Sequence, residues 1–99
     1  MAEDFEVTTK IKKFFSDLYQ HLELGYPIAS ALEHLAAIEE KEDFAQTINS
    51  IKMKIEAGSL LFEALAESSI LFNKKILNSI KSSEDKGTLT QSLKDISNG

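Results

Sequence analysis

The chain has 99 residues, no cysteine and a formal net charge of −5. This length suits one domain with its own core, and the lack of cysteine excludes disulfides and thiolate zinc sites. The balance of 42% hydrophobic and 27% charged residues is typical of an ordered, soluble polypeptide. The negative charge argues against a nucleic-acid partner and against adsorption to an anionic membrane. No apolar run reaches the ~18 residues of a membrane span.

The first helix is predicted to begin at Thr8 or Thr9, either of which is a favourable N-cap. Residues 1–7 are expected to form a disordered or loosely ordered lead-in. Apolar residues then recur every three or four positions, which indicates one face of an amphipathic helix. Gly25 ends this helix because glycine readily adopts the left-handed conformation required there. Pro27 fits the first turn of the second helix, where its missing N–H costs nothing.

Four further helices follow with the same periodicity. The charged stretch EEKED separates the second helix from the third, and Gly58 ends the third. Ser59 is expected to cap a short fourth helix. Gly87 ends the fifth helix, and Thr88 opens the sixth. No segment alternates with a period of two, so we predict an all-α protein of about six helices over residues 8–98.

One pattern recurs at the three glycines. Gly25 and Gly58 are each followed, at offsets of three, six and seven, by a hydrophobic residue, a small residue and a leucine. Counted from Lys86, a third copy fits with serine as the small residue. The three sets are Ile28, Ala31 and Leu32; Leu61, Ala64 and Leu65; and Leu89, Ser92 and Leu93. Because each glycine ends one helix just before the next begins, we predict a compact antiparallel bundle of three helical hairpins.

The sequence contains no arrangement typical of an enzyme. His21 and His34 are the only histidines, and Asp17 shares a helix face with His21, but two ligands are too few for a metal site. Paired carboxylates lie at predicted turns beside lysines, where water screens them, although an oxygen-ligated cation at one of these turns stays open. Phosphate-binding glycine loops and nucleophile elbows are absent. We expect no enzymatic activity, no cofactor and no metal needed for folding.

The two tyrosines flank the first hairpin turn. Tyr19 precedes Gly25 and Tyr26 follows it, with Glu23 between them. Both tyrosines lie off the main apolar stripes, and protein interfaces favour tyrosine. We therefore predict that the Gly25 end of the bundle docks a partner. The alternative is that Tyr26 only packs on its own second helix.

The three hairpin segments resemble, in order and spacing, the type II secretion system F family. LELGYPIASALEHLA resembles its first segment, IEAGSLLFEALAES the second, and SSILFNKKILNSIKSSEDKGTLTQSLKDIS the third, so the match covers about residues 14–96. The chain departs from the family pattern at three positions, which suggests a divergent member. Asn73 stands where the family commonly has proline, Ser83 stands where it has glycine, and Lys86 stands where it has serine or threonine. The family's recurrent positions fall on Gly25, Pro27, Ala31, Leu32, Gly58, Ala64, Leu65, Phe72, Glu84, Gly87, Leu89 and Leu93.

The resemblance implies a non-catalytic cytoplasmic scaffold domain of an inner-membrane platform protein in type II secretion or type IV pilus assembly. Its implied partners are the cytoplasmic ATPase and other platform components, with a second copy of the domain as a further candidate. Such a domain lies at the cytoplasmic face of the bacterial inner membrane. We expect this chain to be a domain excised from a longer membrane protein.

The alternative function is a free-standing signalling module such as a histidine phosphorelay domain. HLELG and HLAAI lack the lysine that usually follows such a histidine. A hydrophobic segment soon after Gly99 in the parent reading frame favours the platform, and a stop codon there favours the free module.

Overall fold

The computed structural model describes residues 2–68 and 74–98, and the regular structure within these ranges is helical. The helices are α1 (Ala2–Glu23), α2 (Ile28–Ile38), α3 (Glu42–Glu56), α4 (Leu61–Ala66), α5 (Lys74–Lys86) and α6 (Leu89–Asn98). The prediction of an all-α bundle of about six helices is confirmed. Within the same two ranges, no helix is both long enough and apolar enough to cross a lipid bilayer.

Helix α1 starts earlier than the sequence pattern predicts. It begins at Ala2, so residues 2–7 are helical and neither Thr8 nor Thr9 is its N-cap. Met1 lies outside the described residues. Alanine is the strongest helix former. The predicted start was wrong because it relied on a capping residue, while no glycine or proline interrupts the earlier positions.

The helices form a closed ring in chain order. Each helix packs against the next, and α6 returns to pack against α1. Two contacts show neighbouring helices running in opposite directions. Lys10 Nζ, in the first half of α1, lies 3.6 Å from the carboxylate of Glu39 at the end of α2. Glu84, near the end of α5, bonds to the first residues of α4.

All six helices contribute to one hydrophobic core. Its residues recur at steps of three and four, as expected for amphipathic helices. In α1 and α3, the Phe14 ring packs edge-on against Phe15 and Phe44, with centroids 5.1 and 5.8 Å away. Among the described residues, the buried apolar side chains are Ile11, Phe14, Phe15, Leu18, Ala31, Leu32, Leu35, Phe44, Ile48, Ile51, Leu61, Ala64, Leu65, Ile80 and Leu93.

Candidate functional site

The turn between α1 and α2 is a Schellman motif. The Gly25 N–H donates to the carbonyl of Leu22 at 3.0 Å, and the Tyr26 N–H donates to the carbonyl of His21 at 3.1 Å. These two bonds satisfy carbonyl groups that the end of α1 would otherwise leave unpaired. The geometry requires a left-handed residue, and Gly25 has φ of +96°.

The same turn occurs twice more. Gly58 has φ of +108° and Gly87 has φ of +75°, as the sequence pattern predicts for residues that end helices. The corresponding bonds run from Gly58 to Ile55 and Ser59 to Lys54 in the second turn, and from Gly87 to Glu84 and Thr88 to Ser83 in the third. Each of the three hairpins is therefore closed by the same kind of turn.

Replacing Gly25 by alanine is expected to lower the free energy of unfolding by about 1 kcal/mol, because a Cβ is unfavourable at positive φ. A Cβ built at Gly25 meets no heavy atom within 4 Å, so the cost comes from the backbone alone. Urea denaturation measures this loss. Gly25→Asn is the matched control and should lose less, since asparagine tolerates the left-handed region. Equal stability of the alanine variant and the parent would contradict the assignment.

The small residue and leucine that follow each turn lie in the core. Each alanine of these pairs is 0% exposed, and Ser92, the small residue of the third pair, is 8% exposed. The Ser92 hydroxyl donates to the carbonyl of Ser79 at 3.4 Å, which gives this polar group a partner. The third pattern is one residue shorter because α6 begins two residues after its glycine, whereas α2 and α4 begin three residues after theirs. The pairs are Ala31 and Leu32, Ala64 and Leu65, and Ser92 and Leu93.

The remaining positions of the family pattern have separate places in the fold. Pro27 is the N-cap of α2, with φ of −59° and ψ of 150°, and not a residue of its first turn. Its extended ψ still lets its carbonyl accept the N–H of Ala31 at 3.0 Å. Leu89 begins α6 and packs, half buried, against the core. Phe72 lies outside the described residues.

Glu84 ties α5 to α4. Its Oε2 accepts the N–H of Leu61 at 2.7 Å, and its Oε1 accepts the N–H of Phe62 at 2.8 Å. These N–H groups belong to the first turn of α4 and have no partner within that helix. A carboxylate here also complements the positive end of the helix dipole. In the sequence, only the family pattern points to Glu84. The two N–H groups that bond to it lie 22 and 23 residues away, beyond the reach of a local pattern.

Ser59 does not cap α4, contrary to the prediction. The N-cap is Leu60, whose N–H donates to Glu63 Oε1 at 2.8 Å. The Ser59 N–H belongs to the second Schellman turn, where it donates to the carbonyl of Lys54 at 3.0 Å. The glycine turn therefore places the helix start one residue later than the serine suggests.

The Gly25 end of the bundle is exposed, but Tyr19 takes only a small part in that surface. Tyr19 is half buried and packs against the core, because it follows Phe15 by four residues and lies on the same side of α1. Leu24, which the sequence analysis did not select, is 76% exposed, and Glu23 beside it is also exposed.

Tyr26 contacts both helices of the first hairpin and still keeps an exposed face. Its ring centroid lies 5.7 Å from that of His21 on α1 and 5.5 Å from that of His34 on α2. Tyr26 is 44% exposed, and His34 is exposed as well. The ring thus packs on its own second helix and remains accessible. We call Glu23, Leu24, Tyr26 and His34 the Gly25 patch.

Asp17 and His21 do not form a joint ligand pair through their side chains. His21 Nδ1 lies 2.8 Å from the backbone carbonyl of Asp17, and a carbonyl only accepts, so this nitrogen carries the hydrogen. The Asp17 carboxylate instead accepts a hydrogen bond from Lys13 Nζ at 2.8 Å, which raises the pKa of Lys13. Among the described residues, no three side chains of the metal-binding types are grouped to hold an ion.

Comparison with known proteins assigns this arrangement of helices to a family. The family model described as "Type II secretion system (T2SS), protein F" matches residues 14–98. A comparison with curated proteins finds no match. The matched region begins within α1 and contains the three Schellman turns, the three buried pairs and Glu84. The chain therefore belongs to the type II secretion system protein F family.

Proposed function

We propose that this chain is a non-catalytic scaffold domain of an inner-membrane platform protein in type II secretion or type IV pilus assembly. The family match over residues 14–98 carries the proposal. In this role the domain lies on the cytoplasmic face of the membrane and contacts the cytoplasmic ATPase and other platform components. The closed ring of short helices supports such a role, because it holds surface residues in fixed positions relative to one another.

We further propose the Gly25 patch as the surface that docks the ATPase. An interaction site usually brings exposed apolar and aromatic side chains together, and tyrosine is enriched among the residues that carry binding energy. Leu24 and Tyr26 provide this combination, and the Schellman turn fixes the backbone between them. Glu23 adds a charge at the rim, where interfaces are usually polar.

The test compares two sets of exposed apolar residues for binding to the purified ATPase of the same secretion or pilus system. Leu24→Gln combined with Tyr26→Ser should weaken binding roughly tenfold, since a few central residues carry most of the binding energy. Ile38→Gln is the control, because Ile38 is 65% exposed but lies at the other end of α2. Tyr19 stays unchanged, since its loss would disturb the core.

Circular dichroism first establishes that each variant keeps the helical content of the parent. If the folded double variant binds the ATPase as the parent does, the Gly25 patch is not its docking site. If the double variant changes sedimentation but not ATPase binding, the patch contacts a second copy of the domain instead.

A further inference from the structure

A polar groove lies between α5 and α6, the two helices of the third hairpin. The Gly25 patch belongs to the first hairpin. It is open to solvent, has a volume of about 500 Å³, and all of its lining side chains are polar. On α5 the lining consists largely of small serine and asparagine side chains, which leave space between the helices. The lining includes Asn78, Ser82 and Lys86 on α5, and Gln91 and Asp95 on α6.

The charge of this part of the chain is opposite to that of the whole. Residues 74–98 contain five lysines and three acidic residues, whereas the chain as a whole has a net charge of −5. Within the described residues, none of these five lysines takes part in an ion pair. Lys81 lies over the Phe62 ring, with its Nζ 5.4 Å from the centroid, and the other four lysines extend into solvent-exposed positions.

Two of the three acidic side chains in residues 74–98 already accept hydrogen bonds. Glu84 accepts the two N–H groups at the start of α4. Asp95 Oδ1 accepts a bond from Gln91 Nε2 at 3.0 Å within the groove itself. These bonds leave the carboxylates charged, so residues 74–98 carry a net charge of +2, and Asp95 is the carboxylate among the residues that line the groove.

Helical spacing places a second lysine, Lys75, on the face of α5 that lines the groove. Lys75 precedes the lining residue Ser79 by four positions and so lies on the same face of α5. Lys86 lines the groove at the end of that helix. The separation between Lys75 and Lys86 along the helix axis is roughly 16 Å. An extended peptide covers that distance with about five residues.

We propose that the groove between α5 and α6 binds an acidic, extended peptide segment of a partner protein. Lys86 in the lining and Lys75 on the same face of α5 complement the carboxylates of such a segment. The hydroxyl and amide groups of the groove both donate and accept hydrogen bonds, as a peptide backbone requires. The phosphate of a lipid headgroup only accepts hydrogen bonds, so it would use only the donor groups of the groove. This inference rests on the groove and its charge, and it does not depend on the proposed platform role or on the Gly25 patch.

The direct test is fluorescence anisotropy with a labelled peptide of alternating glutamate and serine, about eight residues long so that it spans the groove. We expect saturable binding that weakens as salt is added, because exposed charges are screened. The same peptide with glutamine in place of glutamate should bind roughly tenfold more weakly, since it lacks the charge-assisted contacts. Chemical-shift changes in the backbone amides should map to α5 and α6.

Substitutions at two groove residues should change peptide binding in opposite directions. Lys86→Gln should weaken binding of the glutamate peptide about fivefold, and Asp95→Asn should strengthen it about twofold, because each removes one charge at the groove. Lys41→Gln is the matched control, since Lys41 is an exposed lysine between α2 and α3 and forms no ion pair among the described residues. Unchanged helical spectra establish that the variants remain folded.

Other outcomes would overturn the proposal. Equal binding of the two peptides, or equal losses for Lys86→Gln and Lys41→Gln, would show that no specific acidic site exists here. Shift changes confined to other helices would place the site elsewhere. Lys86-dependent binding to phosphatidylglycerol vesicles without peptide binding would assign the groove to lipid headgroups. Lys86-dependent self-association without peptide binding would assign it to a second copy of the chain.

Discussion

Glu84→Gln is expected to lower the free energy of unfolding by about 2 kcal/mol, since a hydrogen bond to a charged group contributes about 1.5–3 kcal/mol. The glutamine keeps the length of the side chain but has one carbonyl oxygen for the two N–H groups of Leu61 and Phe62. Its NH₂ group would face the second N–H, where no bond can form. Urea denaturation gives the overall loss, and faster amide hydrogen exchange at these two residues locates it.

Asp85→Asn is the matched control for this prediction. Asp85 neighbours Glu84 on α5 but is exposed, so its conversion to the amide should change stability by less than about 0.5 kcal/mol. If both variants lose the same amount, the loss reflects the charge of α5 in general. In that case the contact between α5 and the start of α4 does not stabilise the fold.

Leu65→Ala is expected to destabilise the protein by about 3 kcal/mol, because truncating a buried leucine loses its transfer energy and leaves a cavity. Leu65 is 0% exposed, and its helix α4 has only six residues. A helix this short does not form in isolation, so its stability comes from packing. Thermal and urea denaturation measure the effect.

Leu60→Ala makes the same chemical change just before the same helix. Leu60 is 47% exposed, so its truncation should alter the free energy of unfolding by less than about 0.5 kcal/mol. A loss at Leu60 equal to that at Leu65 would mean that burial does not distinguish the two leucines. The matched pair thereby tests the inward orientation of the leucine in the repeated pattern.

The sequence by itself determined the helical class, the three turns and the direction of their leucines. These features depend on local chemistry. Gly25 can adopt positive φ without a Cβ clash whatever the rest of the fold is, and helical periodicity places Leu32 and Leu65 on the apolar faces. The resemblance of the three segments to one family rests on these same local features, and the family match confirms it.

Local sequence patterns predict the wrong helix start where several weak signals compete. Thr8 and Thr9 are good caps, yet α1 begins at Ala2, since no glycine or proline interrupts residues 2–7. Ser59 is likewise a good cap, but its N–H belongs to the preceding glycine turn. In both cases the capping preference, worth about 1 kcal/mol, was outweighed by neighbouring residues.

Only the tertiary structure decided which distant groups meet. The contact of α6 with α1 closes the ring, and the Glu84 carboxylate reaches backbone N–H groups of α4. Tyr19 is half buried because of how α1 packs, whereas Leu24 remains exposed beyond the end of that helix. Periodicity places each residue on a face of its own helix. The burial of that face, and the partner of each polar group, depend on helices far away in the chain.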